Sequence, residues 1–429
     1  MADLSVAPLN KIKAEIHVPG DKSISHRAVM IGSLANGRSI VRGFLASADC
    51  LATIACLKKL GAEIDLAGTK VEIKGSGLRG IKQTRELLDV GNSGTSIRLL
   101  SGILAGQPFL SKITGDESIQ NRPMMRIVAP LREMGANIIG HSSKGNVYAP
   151  LEIHGGGLKP IAYELPVASA QVKSAVLFAG LYADGETTVI ERNQARDHTE
   201  RMLLHFNAAV KLQGLRTKVR GNKDFEGAEV DVPGDISSAA FFIIAALLVP
   251  NSELLIKNVG VNPTRTGIVD VLHRMGAKLE VINEQLLAEE PRADILVKTS
   301  KLKAIRIDGQ IIPRIIDEIP AIAVAATQAE GRTEIVGARE LRVKESDRIA
   351  AIAATLNRMG ADVKELEDGL VIQGPTPLNA AEMDSYGDHR IAMSAAVAAL
   401  IAEGETRIAN TDCIETSFPG FNQLLNGLR

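Results

Sequence analysis

The feature that most constrains this chain is a helix without a polar face, repeated six times. The six copies are KSISHRAVMIGSLANGRSIVRG (Lys22–Gly43), NSGTSIRLLSGILAGQPFLSKI (Asn92–Ile113), SAQVKSAVLFAGLYADGETTVIE (Ser169–Glu191), DISSAAFFIIAALLVPNSELLIKN (Asp235–Asn258), DEIPAIAVAATQAEGRTEIVG (Asp317–Gly337) and DHRIAMSAAVAALIAEGETRIAN (Asp388–Asn410). Each reads as a polar cluster, an Ala-rich apolar helix, a short turn and a β-branched strand. A helix apolar all round is buried on every side, which a one-layer solenoid cannot arrange. Closed groups of three units, with these helices inside and sheets outside, can. Aromatic residues are only 3% and Trp is absent, so Ala, Ile, Leu and Val must fill the core.

A second pattern alternates with the first: LKKLGAEI (Leu57–Ile64), LREMGANI (Leu131–Ile138), LHRMGAKL (Leu272–Leu279), LNRMGADV (Leu356–Val363) and a degraded LHFNAAVKL (Leu204–Leu212). Apolar residues at helical spacing followed by Gly mark a helix that stops and a strand that begins. The period of roughly 70–80 residues then reads strand–helix–strand–helix–strand–strand, βαβαββ, six times. The sixth copy ends in a helix, whereas KIKAEIHVPG (Lys11–Gly20) is an unassigned strand-like stretch near the start. Residues 1–20 are therefore expected to complete the last unit. Two α/β domains of three units follow: 21–236, and 1–20 with 237–429, joined by a two-strand hinge. VPGD occurs near both crossings, at Val18–Asp21 and Val232–Asp235.

Formal charge is only −1 (49 Lys+Arg against 50 Asp+Glu), which points away from nucleic acid and anionic membranes. No apolar run reaches the roughly 20 residues a bilayer requires, and MADLSVAPLNKIKAEI lacks a signal peptide's apolar stretch. Cys50, Cys56 and Cys413 form no CxxC or disulfide framework and read as small buried hydrophobes of a cytoplasmic protein. No metal-ligand spacing, P-loop or dinucleotide fingerprint occurs, so no cofactor is expected.

Polar residues gather where the apolar helices begin: Lys22, Ser23 and Arg27; Asn92, Ser93, Thr95 and Arg98; Ser169, Gln171 and Lys173; Asp317 and Glu318; Asp388, His389 and Arg390. Only Asp235–Ser238 looks like plain capping. Arg122, Arg196, Lys344 and Arg348 recur before the second helices. If the helix starts of both domains face one cleft, these cations and the helix dipoles form a trap for a small multiply charged anion. Asp317 and Glu345 begin helices, where capping is the plain explanation. Ionised among cations, they could instead act as bases, and Lys22 could pass a proton.

PGDKSISHR (Pro19–Arg27), GNSGTSIR (Gly91–Arg98), GDESIQNRPM (Gly115–Met124), SAQVKSA (Ser169–Ala175), RVKESDR (Arg342–Arg348) and GDHRIAMS (Gly387–Ser394) together resemble the 5-enolpyruvylshikimate-3-phosphate synthase family, in order along the chain. The resemblance implies a pair of inverse α/β barrels (the enolpyruvyl transferase fold) and a shikimate-pathway transferase leading to chorismate and aromatic amino acids. The enolpyruvyl group of phosphoenolpyruvate would pass to the 5-hydroxyl of shikimate 3-phosphate by addition and elimination, in a monomer. It implies that Lys22, Ser23, Arg27, Ser169, Ala170, Gln171, Arg196, Asp317 and Lys344 hold shikimate 3-phosphate. Lys22, Asn92, Gly94, Arg122, Gln171, Arg348 and Arg390 would hold phosphoenolpyruvate. Asp317, Glu345 and Lys22 would be catalytic. Ala170 stands where the enterobacterial and plant branch has serine, and Thr416 where that branch has lysine. SAQVK and RPMMR resemble the second class of this glyphosate-target family. The UDP-N-acetylglucosamine transferases of the same fold use a loop cysteine that Gly115–Arg122 lacks. A non-catalytic anion-binding module would be weakened by Asp317 and Glu345.

Overall fold

The computed structural model describes residues 2–309 and 311–428. Six central helices carry the apolar repeats: α1 Lys22–Leu34, α2 Gly94–Ala105, α3 Ala170–Gly180, α4 Ile236–Leu248, α5 Ile319–Thr327 and α6 His389–Ala399. Their burial follows from the missing polar face: α4 is buried at every residue from Ile236 through Leu247, and α5 throughout. The chain divides into two compact units, each with its own apolar core. One comprises Gly20–Val232 and Leu287–Glu290 and contains α1–α3. The other comprises the chain up to Pro19, Pro233–Leu286 and the chain from Pro291 onward, and contains α4–α6. The divisions fall at 19/20 and 232/233, where the motif boundaries suggested 20/21 and 236/237. Gly234 forms a parallel bridge to Val259, which draws the stretch before α4 into the sheet that follows it.

Among the described residues every unit of the repeat makes one sheet, four-stranded in the first five and three-stranded in the sixth. The strand after each central helix pairs in parallel on one side and antiparallel on the other. In the second copy Leu110–Thr114 lies between Leu88–Asp89 (parallel) and Asn146–His154 (antiparallel), with Asn137–Ser143 at the far edge. The third and fifth copies repeat this order. The first and fourth exchange one strand. Lys13–His17 precedes α1 in the chain yet pairs in parallel with Glu253–Gly260, the strand after α4. Glu229–Asp231 precedes α4 yet pairs in parallel with Asn36–Arg42, the strand after α1. The two VPGD sequences mark this exchange.

The N-terminal stretch therefore differs from expectation. Only Leu4–Val6 completes the last unit, antiparallel to Thr406–Ala409, whereas Lys13–His17 serves the fourth. The helix-stop signals read correctly. Gly61, Gly135, Gly276 and Gly360 have φ of 88°, 110°, 85° and 92°, a conformation with no steric penalty only for glycine. In the degraded copy Asn207 takes the same role at φ 55°.

Candidate active site

Five of the six central helices have a side-chain N-cap: Asp21 accepts from the Ile24 N–H, Ser93 from Ser96, Ser169 from Val172, Asp235 from Ser237 and Asp388 from Arg390. This corrects the expectation that only Asp235 caps. A cap needs a single side-chain oxygen just before the first turn, so the other polar residues sit one step further in. Nor do Asp317 and Glu345 cap helices. Glu318 occupies the cap position of α5 without capping it, and its carboxylate accepts from the Ser237 hydroxyl of α4. Asp347 caps helix Arg348–Arg358 by accepting from the Ala350 N–H.

In the first unit, Lys22 pairs with Asp49 at 2.5 Å. Arg27 is buried, donating from Nε to Thr199 Oγ1 (2.6 Å), from Nη2 to Ser174 Oγ (2.9 Å) and from Nη1 to the Ser23 carbonyl (2.9 Å). Burial lowers its pKa to about 10, with Glu200 opposing the shift and Arg196 adding to it. Asn92 donates to Asp116 (2.7 Å), and Gln171 donates from α3 to Thr95 Oγ1 on α2 (3.2 Å). Ser169 caps α3, Ala170 opens it, and Ser23 lies half-buried in α1.

Gly94 opens α2 between two guanidiniums. A Cβ there would lie 2.7 Å from Arg98 Nη1 and 2.8 Å from Arg122 Nη1. Behind it runs a buried hydrogen-bond chain in which His26 Nδ1 meets Thr53 Oγ1 (2.7 Å), Thr53 meets Ser96 Oγ (2.6 Å), and Ser96 donates to the capping Ser93 Oγ (2.6 Å). Burial, then Lys22 and Arg27, push the His26 pKa well below the ordinary value, so His26 is a neutral structural residue.

In the second unit the candidates meet around Asp317. Its Oδ1 lies 3.4 Å from Arg348 Nη1, 3.6 Å from Lys344 Nζ and 3.9 Å from Arg390 Nε, and its carbonyl accepts from Arg390 Nη1 at 3.0 Å. Arg348, 1% exposed, also pairs with Glu345 (2.6 Å) and Asp388 (2.8 Å). Burial disfavours its charge, but Asp388, Glu345 and Asp317 outweigh that and raise its pKa. Burial likewise opposes the Asp388 carboxylate, and Arg348 outweighs it, lowering that pKa. Thr416 brings no charge to this unit; its hydroxyl donates to the Cys413 carbonyl (2.7 Å).

Sequence reasoning missed the supporting partners Asp49, Thr199 and Ser174, which stand far in the chain from the residues they hold. The three thiols are free, with pKa values pushed up by burial to about 12, 12 and 11 for Cys50, Cys56 and Cys413. Cys413 is only half-buried, a departure from the buried-hydrophobe expectation. Among the described residues, no group of three or more His, Cys, Asp or Glu side chains is arranged to hold a metal ion. No described helix is long and apolar enough to cross a membrane.

The fold is that of the enolpyruvyl transferases. It matches the enolpyruvyl transferase NikO from Streptomyces tendae with a TM-score of 0.80 at 16% identity, covering 99% of this chain and 96% of that one. The model of the family described as EPSP synthase (3-phosphoshikimate 1-carboxyvinyltransferase) matches residues 6–425, and the chain belongs to that family. It is 55% identical to the 3-phosphoshikimate 1-carboxyvinyltransferase of Brevibacillus brevis over 98% of this chain and 99% of that protein. An EPSP synthase structure from Acinetobacter baumannii matches with a TM-score of 0.88 at 46% identity, over 99% of this chain and 98% of that one.

Proposed function

We propose that this chain transfers the enolpyruvyl group of phosphoenolpyruvate to the 5-hydroxyl of shikimate 3-phosphate, giving 5-enolpyruvylshikimate 3-phosphate and inorganic phosphate. Family membership across residues 6–425 carries the reading. The cation-ringed Asp317 supports it chemically, because a carboxylate opposes simple anion binding and suits a base.

In this reaction a proton adds to the methylene carbon of phosphoenolpyruvate as the 5-hydroxyl attacks the neighbouring carbon. Asp317 takes the hydroxyl proton. The tetrahedral intermediate then loses phosphate from that carbon and a proton from the new methyl group. Lys22, held by Asp49, and Glu345, held by Arg348, serve this proton traffic. The cations stabilise the charge of the intermediate and the departing phosphate. Ser23, Arg27, Ser169, Ala170, Gln171, Arg196 and Lys344 hold shikimate 3-phosphate together with Lys22 and Asp317. Asn92, Gly94, Arg122, Arg348 and Arg390, with Lys22 and Gln171, hold phosphoenolpyruvate. The chain acts as a monomer in the cytoplasm and needs no cofactor.

Phosphate release tests the assignment. Release is expected with both substrates present and with neither alone. Release from phosphoenolpyruvate alone would mark a phosphatase, and none with both would refute the transfer.

Gly94→Ala tests the donor site. The added methyl lies within 3 Å of the ends of two flexible arginines, so the guanidiniums move rather than the backbone. The KM for phosphoenolpyruvate should rise several-fold or more while that for shikimate 3-phosphate stays close to the parent value. An equal rise for both substrates would remove Gly94 and Arg122 from a donor-specific role.

A further inference from the structure

A fully buried ammonium lies behind the arginines of the first unit. Lys173, in α3, is 0% exposed, and its Nζ reaches Glu200 Oε1 (2.6 Å), Glu191 Oε2 (2.9 Å) and the Ala195 carbonyl (3.3 Å). An ammonium has three N–H donors, so these contacts use all of them. The other oxygen of Glu191, Oε1, accepts from the Ala195 N–H at 2.7 Å. Both backbone groups of Ala195 are thus gripped by charged side chains, and the next residue is Arg196.

Residues 191–197 contain no helix or strand, so no backbone ladder fixes Arg196. The clamp holds the backbone at the adjacent residue, Ala195. Immediately beyond lies helix His198–His205, which carries Glu200 and Thr199. Thr199 accepts from Arg27 and hydrogen-bonds Ser174, the neighbour of Lys173 (2.6 Å). One cluster therefore sets the loop bearing Arg196 and the helix that orients Arg27. Burying an ammonium with two carboxylates is a poor route to stability, since desolvation costs cancel much of the attraction and apolar replacements of such groups are often neutral or better. Fixing geometry is the role that remains. Lys173 and Glu191 both contact Ala195, in the loop that bears Arg196.

We propose that Lys173, clamped between Glu191 and Glu200, is a positioning residue that sets Arg196 and Arg27 for the phosphate monoester of shikimate 3-phosphate. It touches no substrate, and it tunes affinity for that substrate alone. The proposal rests on the reaction assigned above.

Steady-state kinetics of Lys173→Met, Arg196→Ala and the parent test it, with thermal melting as a check on folding. Lys173→Met should raise the KM for shikimate 3-phosphate roughly tenfold or more, the scale on which small misplacements of binding groups act. The KM for phosphoenolpyruvate should stay within about twofold of the parent. Because that variant leaves two buried carboxylates facing Met and could fail to fold, Lys173→Met/Glu191→Gln/Glu200→Gln supplies a neutral cluster of similar volume. It removes the donor to the Ala195 carbonyl and should show the same selective rise. A folded variant with unchanged shikimate 3-phosphate KM, or with equal increases for both substrates, overturns the proposal. So does Arg196→Ala with an unchanged shikimate 3-phosphate KM, although turnover by the parent would then leave the reaction standing. Absence of turnover in the parent would reject the reaction itself.

Discussion

Asp317→Asn is expected to lower turnover by roughly 10²-fold or more, the usual loss when general acid–base catalysis is removed. The amide keeps the size and an oxygen acceptor but cannot take the hydroxyl proton. Binding of shikimate 3-phosphate should change far less, because Ser169, Gln171, Arg196 and Lys344 are untouched. Lys344, Arg348 and Arg390, all within 4 Å, hold the carboxylate in place. Single-turnover kinetics separates the chemical step from binding, and near-normal turnover in a folded variant removes Asp317 from the role of base.

Arg348→Met should be the most destabilising single change in the second unit, by about 3–5 kcal/mol, the range for breaking a buried ion pair. The substitution leaves Asp388, 0% exposed, and the nearby Glu345 and Asp317 without a shared countercharge. A urea denaturation midpoint reports the loss. Adding Asp388→Asn should recover part of it, because the two residues are in direct contact and their effects do not add. A single variant as stable as the parent would show that this guanidinium is replaceable and that its carboxylate partners are independently solvated.

Much of this architecture is legible in the sequence because it is local. The apolar run of α4 needs no partner to be recognised as buried, and Gly61, Gly135, Gly276 and Gly360 declare their conformation from their place in the pattern. Strand pairing is not local. Leu4–Val6 and Lys13–His17 look alike as short strands, yet they join different sheets, and nothing in their own residues records which. Caps are hard to read for a related reason. Lys22 and Arg98 stand out in the first turns of their helices, while Asp21 and Ser93 satisfy the helix ends ahead of them. At the site, recurrence at equivalent repeat positions exposed Asp317, Lys344, Arg348 and Arg390. Asp49, Thr199, Ser174, Glu191 and Glu200 belong to no such series. Their importance depends on burial and on partners distant in the chain, and Lys173 was visible only as one more polar residue near a helix start.

Addition–elimination expels phosphate from carbon, so the bond between carbon and the bridging oxygen of phosphoenolpyruvate breaks. Phosphoenolpyruvate labelled with ¹⁸O at that bridging position, turned over with shikimate 3-phosphate, tests it directly. The label should appear in the released inorganic phosphate, with an unlabelled enol ether oxygen supplied by the 5-hydroxyl. Phosphate free of label, with the heavy oxygen retained on the three-carbon fragment, would mean cleavage at phosphorus and would contradict enolpyruvyl transfer.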